Sequence, residues 1–97
     1  MTFRVTPRAR ADLEAIARWT AVNWGVDRMA VYLRALDARF GWLAAAPERG
    51  RDRPDVGQGY RSYPEGRHVI FYLCQPDTIV IIGVPHQAMD VITHFSV

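Results

Sequence analysis

The residues best suited to carry chemistry lie in the C-terminal half of the chain: His68, His86 and His94, the cations Arg61 and Arg67, and Tyr60, Tyr63 and Tyr72. These are the types that metal-free RNA cleavage uses. A base must activate the 2′-hydroxyl, an acid must protonate the leaving oxygen, and cations must stabilise the charged phosphorane. Other chemistries fit less well. The three histidines show no metal-ligand spacing. Cys74 ends an apolar run with nothing near it in sequence to lower its pKa. The glycines of "GRDRPDVGQG" (50–59) do not match a nucleotide-binding fingerprint, and Asp52 and Asp55 would repel a phosphate. No metal and no cofactor is expected.

Strand parity argues against the RNA-cleaving reading. In "RHVIFYLC" (67–74), Arg67, Val69, Phe71 and Leu73 share one face, and His68, Ile70, Tyr72 and Cys74 share the other. Both faces carry apolar residues, so the strand is expected to be buried rather than to wall an open RNA cleft. In "GVPHQAMD" (83–90), His86 could be a base or a target contact. We expect instead a brace, with ring nitrogens bonded to backbone or to Asp90. Pro85 lacks an N–H and is expected to end the hydrogen bonding of the preceding strand.

All twelve basic residues are arginines, against ten acids. Arg4, Arg8 and Arg10 fall in an acid-free start. Arg49, Arg51, Arg53, Arg61 and Arg67 crowd into residues 49–67, which hold only Asp52, Asp55 and Glu65 as acids. The group suits contact with an anionic partner, or else a solvated loop neutralised by its own aspartates.

These residues need a scaffold. A content of 49% hydrophobic and 11% aromatic residues supplies one packed core, and 97 residues make a single domain. The longest apolar runs, 69–74 and 79–84, are too short to cross a bilayer, and residues 1–10 lack a signal-peptide stretch. With a single cysteine, a cytoplasmic location is expected. Thr6-Pro7 opens a helix whose face is Leu13, Ile16, Ala17, Thr20 and Trp24, ended by Gly25. Asp27 is expected to cap a second helix with the seam Met29, Leu33, Leu36, Phe40 and Leu43, in which Gly41 would allow close approach of the first. Trp19 and Trp42 fall off these seams, which suggests a partner surface or the sheet-facing side. After Pro47 comes a loop to residue 59. Strands at 60–63, 67–74 and 78–84 then follow with turns at 64–66 and 75–77, and residues 2–6 are a possible fourth strand. The implied fold is α+β: a helical hairpin on a small antiparallel sheet of three or four strands, in the order βααβββ.

This order, with "DLEAI" (12–16), "WG" (24–25), "LAAAP" (43–47), "GRDRPDVGQGYRSYPEGRHVIFY" (50–72) and "VPHQAMD" (84–90), resembles the ParE toxins of type II toxin–antitoxin systems, within the RelE/ParE superfamily. Pro85 departs from the family, which usually carries an aliphatic residue there. The resemblance implies a bacterial toxin that inhibits DNA gyrase and so blocks replication, acting by binding rather than as an enzyme. It implies a ParD-like antitoxin that wraps a C-terminal segment around the toxin in a hetero-oligomer, with DNA engaged only indirectly and no membrane. The RelE branch instead cleaves mRNA in the ribosomal A site, and a non-toxic antitoxin-binding module is a further alternative. Candidate target or partner contacts are Arg49, Arg51, Arg53, Arg61, Arg67, His86, His94 and Phe95. Trp19 and Trp42 are candidate antitoxin contacts.

Overall fold

The computed structural model describes residues 2–88. The chain runs β1 (Thr2–Val5), α1 (Pro7–Trp24), α2 (Val26–Ala45), a 3-10 turn (Pro47–Arg49), β2 (Arg51–Asp52), β3 (Tyr60–Glu65), β4 (His68–Cys74) and β5 (Thr78–Gly83). The five strands form one sheet in the order β1-β5-β4-β3-β2. β3, β4 and β5 are the expected antiparallel meander, whereas β1 joins β5 in parallel and makes the sheet mixed. The strand β2, inside the loop expected at 47–59, adds a fifth strand by pairing with β3.

Thr6 couples sheet to helix. Its Oγ1 accepts the Ala9 N–H at 3.1 Å as N-cap of α1 and donates to the Ile81 carbonyl at 3.0 Å. The hairpin turns on one residue. Gly25 has φ +94°, and its N–H bonds the Ala21 carbonyl while its own carbonyl accepts from Met29. Gly25 is therefore the N-cap of α2 and Asp27 sits within the first turn, where its charge faces the positive end of the helix dipole. Gly41 is exposed with open space around it and brings no helix closer, contrary to the sequence expectation.

The core lies between the hairpin and one face of the sheet. Ile16, Leu36, Phe40 and Leu43 pack with Ile70, Tyr72, Ile79, Ile81 and Val84. The opposite face of β4 is also apolar: Phe71 is fully buried, under the Arg53 guanidinium at 4.8 Å.

A bulge decides what happens after β5. Tyr72 pairs with Ile81, but Phe71 pairs with Gly83, so Ile82 is the extra residue. One added residue reverses which face each later side chain takes. Val84 thus enters the core, and His86 comes opposite His68. The Val84 N–H is caught by the Asp12 carboxylate of α1 at 2.8 Å. Pro85 does not end the ladder as expected. Its carbonyl accepts from Val69 at 2.9 Å, and Gln87 donates to the Arg67 carbonyl at 2.8 Å. Only the bond that a proline N–H cannot make is lost.

Candidate functional site

A cleft of about 280 Å3 opens between the C-terminal end of α1, the start of α2 and the β3–β4 turn. Trp19 and Trp24 form one wall, Tyr32 and His68 the floor, and Arg28 and Arg67 also line it. The Tyr32 hydroxyl organises the floor. It lies 2.7 Å from His68 Nδ1 and 3.1 Å from the Glu65 carbonyl, and accepts the Arg67 N–H at 3.2 Å. Gly66 is required there twice over. Its φ is +57°, and a Cβ would fall 2.6 Å from the Tyr32 ring. Burial raises the Tyr32 pKa. Burial lowers that of His68, with neighbouring His86 acting in the same direction and Asp12 opposing, so protonation of the ring is disfavoured.

His86 stands edge-to-face on His68 at 5.5 Å between ring centroids, and its Nδ1 accepts the Ala88 N–H at 3.1 Å. The ring thus bonds backbone of its own turn. Asp90, the other expected partner, lies outside the described residues, as do His94 and Phe95.

The arginines do not gather into one face. Arg53 grips Asp55 with two bonds of 3.0 and 2.7 Å and reaches Ser62 Oγ at 3.2 Å. That grip holds the Asp55 pKa down. Arg61 donates to the Gly50 carbonyl at 2.6 Å and pairs with Asp52 at 3.4 Å. Arg49 donates to the Trp42 carbonyl at 2.8 Å and lies over its ring at 4.3 Å. These three pin the 47–59 loop to the sheet and to α2. Arg51 is exposed, and Arg67 stands at the cleft beyond the far end of β3.

Trp42 is 37% exposed, and the guanidinium of Arg39, at 4.5 Å, lies over its ring as that of Arg49 does. Tyr63 of the sheet meets it edge-on at 5.1 Å. Trp24, expected on the inward face of α1, is 56% exposed in the cleft wall. Tyr32 and Arg28 went unrecognised in the sequence because nothing local links them to the β3–β4 turn.

The candidate RNA-cleaving groups fall into two sets: Arg67 and His68 line the cleft with His86 against His68, whereas Arg61 stands apart. Arg61 pairs with Tyr72, four residues along β4 from His68, which at ~3.3 Å per residue separates them by about 13 Å. Burial pushes the Cys74 thiol up, away from the reactive thiolate. Among the described residues no three His, Cys, Asp or Glu converge as metal ligands, and no helix is long and apolar enough to cross a membrane.

The family model described as "ParE toxin of type II toxin-antitoxin system, parDE" matches residues 3–91. The chain belongs to the ParE toxin family. It is 36% identical over 94 residues to Toxin ParE1 of Caulobacter vibrioides, covering 97% of each chain. It is 39% identical over 90 residues to Toxin ParE1 of Mycobacterium tuberculosis, covering 92% of each. The structure titled "Chromosomal ParDE TA system from P. aeruginosa" superposes with a TM-score of 0.74 at 20% identity, over 89% of this chain and 95% of that one. At that identity the likeness is one of fold: a ParE-type helical hairpin on a mixed sheet.

Within this ParE fold, two of the stretches that carried the resemblance have structural work. Asp12 of "DLEAI" holds the bulged end of β5. Gly50, opening "GRDRPDVGQG", makes room for the Tyr72 hydroxyl.

Proposed function

We propose that this chain is the toxin of a type II toxin–antitoxin pair in the bacterial cytoplasm, a single toxin domain that inhibits DNA gyrase by binding and thereby blocks replication. A cognate ParD-like antitoxin neutralises it in a hetero-oligomer, and DNA is engaged only through that complex. The match to the ParE toxin model over residues 3–91 carries this reading. Action by binding is supported by the distance between Arg61 and His68 and by the engagement of His68 Nδ1 by Tyr32. Arg61 is too far off to stabilise a phosphorane beside His68, and the His68 nitrogen that faces Tyr32 is engaged rather than offered to a phosphate. Target contacts are assigned to the exposed Arg51 and Arg67, with His86 nearby, and to the tail holding His94 and Phe95.

Controlled expression in a bacterial host tests the toxin–antitoxin part. Growth arrest that is relieved by co-expressing the adjacent reading frame is the expected result. Unchanged growth with the folded chain present at high level would count against toxicity.

A further inference from the structure

The far end of β5 is held by a residue distant in sequence. β1 pairs with β5 as far as Val5 opposite Ile81, and the Thr6 N–H adds a last bond to the Ile81 carbonyl at 3.1 Å. The chain then turns into α1. On the other side of β5 the ladder with β4 runs on: Val69 donates to the Pro85 carbonyl and Gln87 to the Arg67 carbonyl. In an antiparallel ladder, residues between such pairs turn their N–H groups away from the partner strand. Val84 is one of them, so its N–H points to the side that β1 has left. Val84 is also buried, and a buried donor needs a partner. The Asp12 carboxylate, on the second turn of α1, supplies it at 2.8 Å. One helix side chain replaces the missing strand. Pro85 sharpens the dependence, because it offers β4 no donor. Among the described residues, two backbone bonds to β4, the His86–His68 contact and the Asp12 bond hold segment 84–87.

We propose that Asp12 is a positioning residue for target binding: by fixing the exit of β5 against α1, it sets the point and direction from which the tail starts. Asp12 itself touches no target. It acts through Val84, by lowering the ordering cost when the tail binds. The proposal rests on the reading that His94 and Phe95 of the tail contact gyrase, and it adds to that function a residue from the other end of the chain.

The test compares the unaltered full chain with Asp12→Ala, Asp12→Asn and Ile79→Val. Each is assayed for inhibition of gyrase supercoiling and, by NMR, for amide hydrogen exchange at Val84, with circular dichroism checking the fold. Asparagine keeps an oxygen that accepts from Val84 but drops the charge that Asp12 also presents to His68. Ile79→Val trims the core at the opposite end of β5 and reports what lost stability alone does. Freeing about one residue of backbone changes an equilibrium constant about tenfold, so Asp12→Ala should need roughly 10-fold more chain for half-inhibition. Its Val84 amide should exchange at least ~10-fold faster. Asp12→Asn and Ile79→Val should inhibit like the unaltered chain. Full inhibition by folded Asp12→Ala, or unchanged exchange at Val84, overturns the proposal while the gyrase reading stands. So does an equal loss in Asp12→Asn, which places the effect in charge, or in Ile79→Val, which places it in stability. If Asp12→Ala fails to fold, Asp12→Glu decides: its longer carboxylate still meets the N–H but displaces the exit, and unchanged inhibition overturns the proposal. An unaltered chain without effect on gyrase overturns the underlying reading and this role with it.

Discussion

Gly50 and Tyr72 offer the sharpest test of how the arginine loop is held to the sheet. Tyr72 is fully buried, and its hydroxyl donates to the Pro47 carbonyl at 2.6 Å. Gly50 has φ −80°, a backbone that any residue adopts, so what it lacks is room. A Cβ there would fall 2.0 Å from the Tyr72 hydroxyl oxygen and 2.8 Å from the ring carbon bearing it. Forcing a methyl into such a site costs about 1–3 kcal/mol. Tyr72→Phe should also cost about 1–3 kcal/mol, because the Pro47 carbonyl loses its donor. The two changes must not add. Once the hydroxyl is gone, the nearest clash relaxes to 2.8 Å, and no hydrogen bond is left for the methyl to break. The double variant is therefore expected to be more stable than the sum of the singles by ~0.5–2 kcal/mol. Urea denaturation followed by tryptophan fluorescence measures this, with an unchanged m-value showing that the same surface unfolds. Additivity to within ~0.3 kcal/mol, or a neutral Gly50→Ala, would refute the reasoning.

Four further outcomes follow from the same geometry. Burial pushes the Tyr72 pKa up to about 12, so the unfolded chain ionises first and stability should fall between about pH 10 and about pH 12; Tyr72→Phe should flatten that fall in pH-dependent denaturation. His68 has a lowered pKa, so its contribution is complete above the ordinary histidine value near 6.5 and is lost as pH drops below it, a slope that His68→Gln should reduce. His86→Ala should cost less than about 1 kcal/mol, because its bond to Ala88 is exposed, and should leave target choice unchanged in toxicity and target assays. A stable His86→Ala protein with no toxicity would reverse that assignment. Deleting residues 91–97 is expected to abolish toxicity in growth assays while circular dichroism shows a folded chain; full toxicity would remove the tail from the target contacts.

The elements themselves were readable because each has a local period. The spacing of Leu36, Phe40 and Leu43 set the inward face of α2, and the alternation from Val69 to Cys74 set a strand apolar on both sides. What escaped depends on contacts far apart in sequence. The parallel pairing of β1 with β5 brings together residues about 76 positions apart, and no turn announces it. The strand β2 holds two residues inside a run of turn formers and exists because β3 offers it an edge. The bulge at Ile82 went unread, although Gly83 beside it is a residue type that often marks one, and it decides that His86 faces His68. Pro85 was correctly seen as a missing donor, but its carbonyl still serves the ladder. Trp24 continued the apolar period of α1 past the point where the sheet covers the helix, so periodicity assigned it to the core and the fold left it in the cleft.

Inhibition of gyrase by binding is the central claim of the proposed function. The direct measurement incubates the purified chain with DNA gyrase, relaxed plasmid and ATP, beside a parallel reaction holding translating ribosomes and a defined mRNA. Loss of supercoiling or accumulation of cleaved plasmid, with the mRNA intact, is the expected result. Cleavage of the mRNA in the ribosomal A site, with supercoiling unaffected, would contradict it.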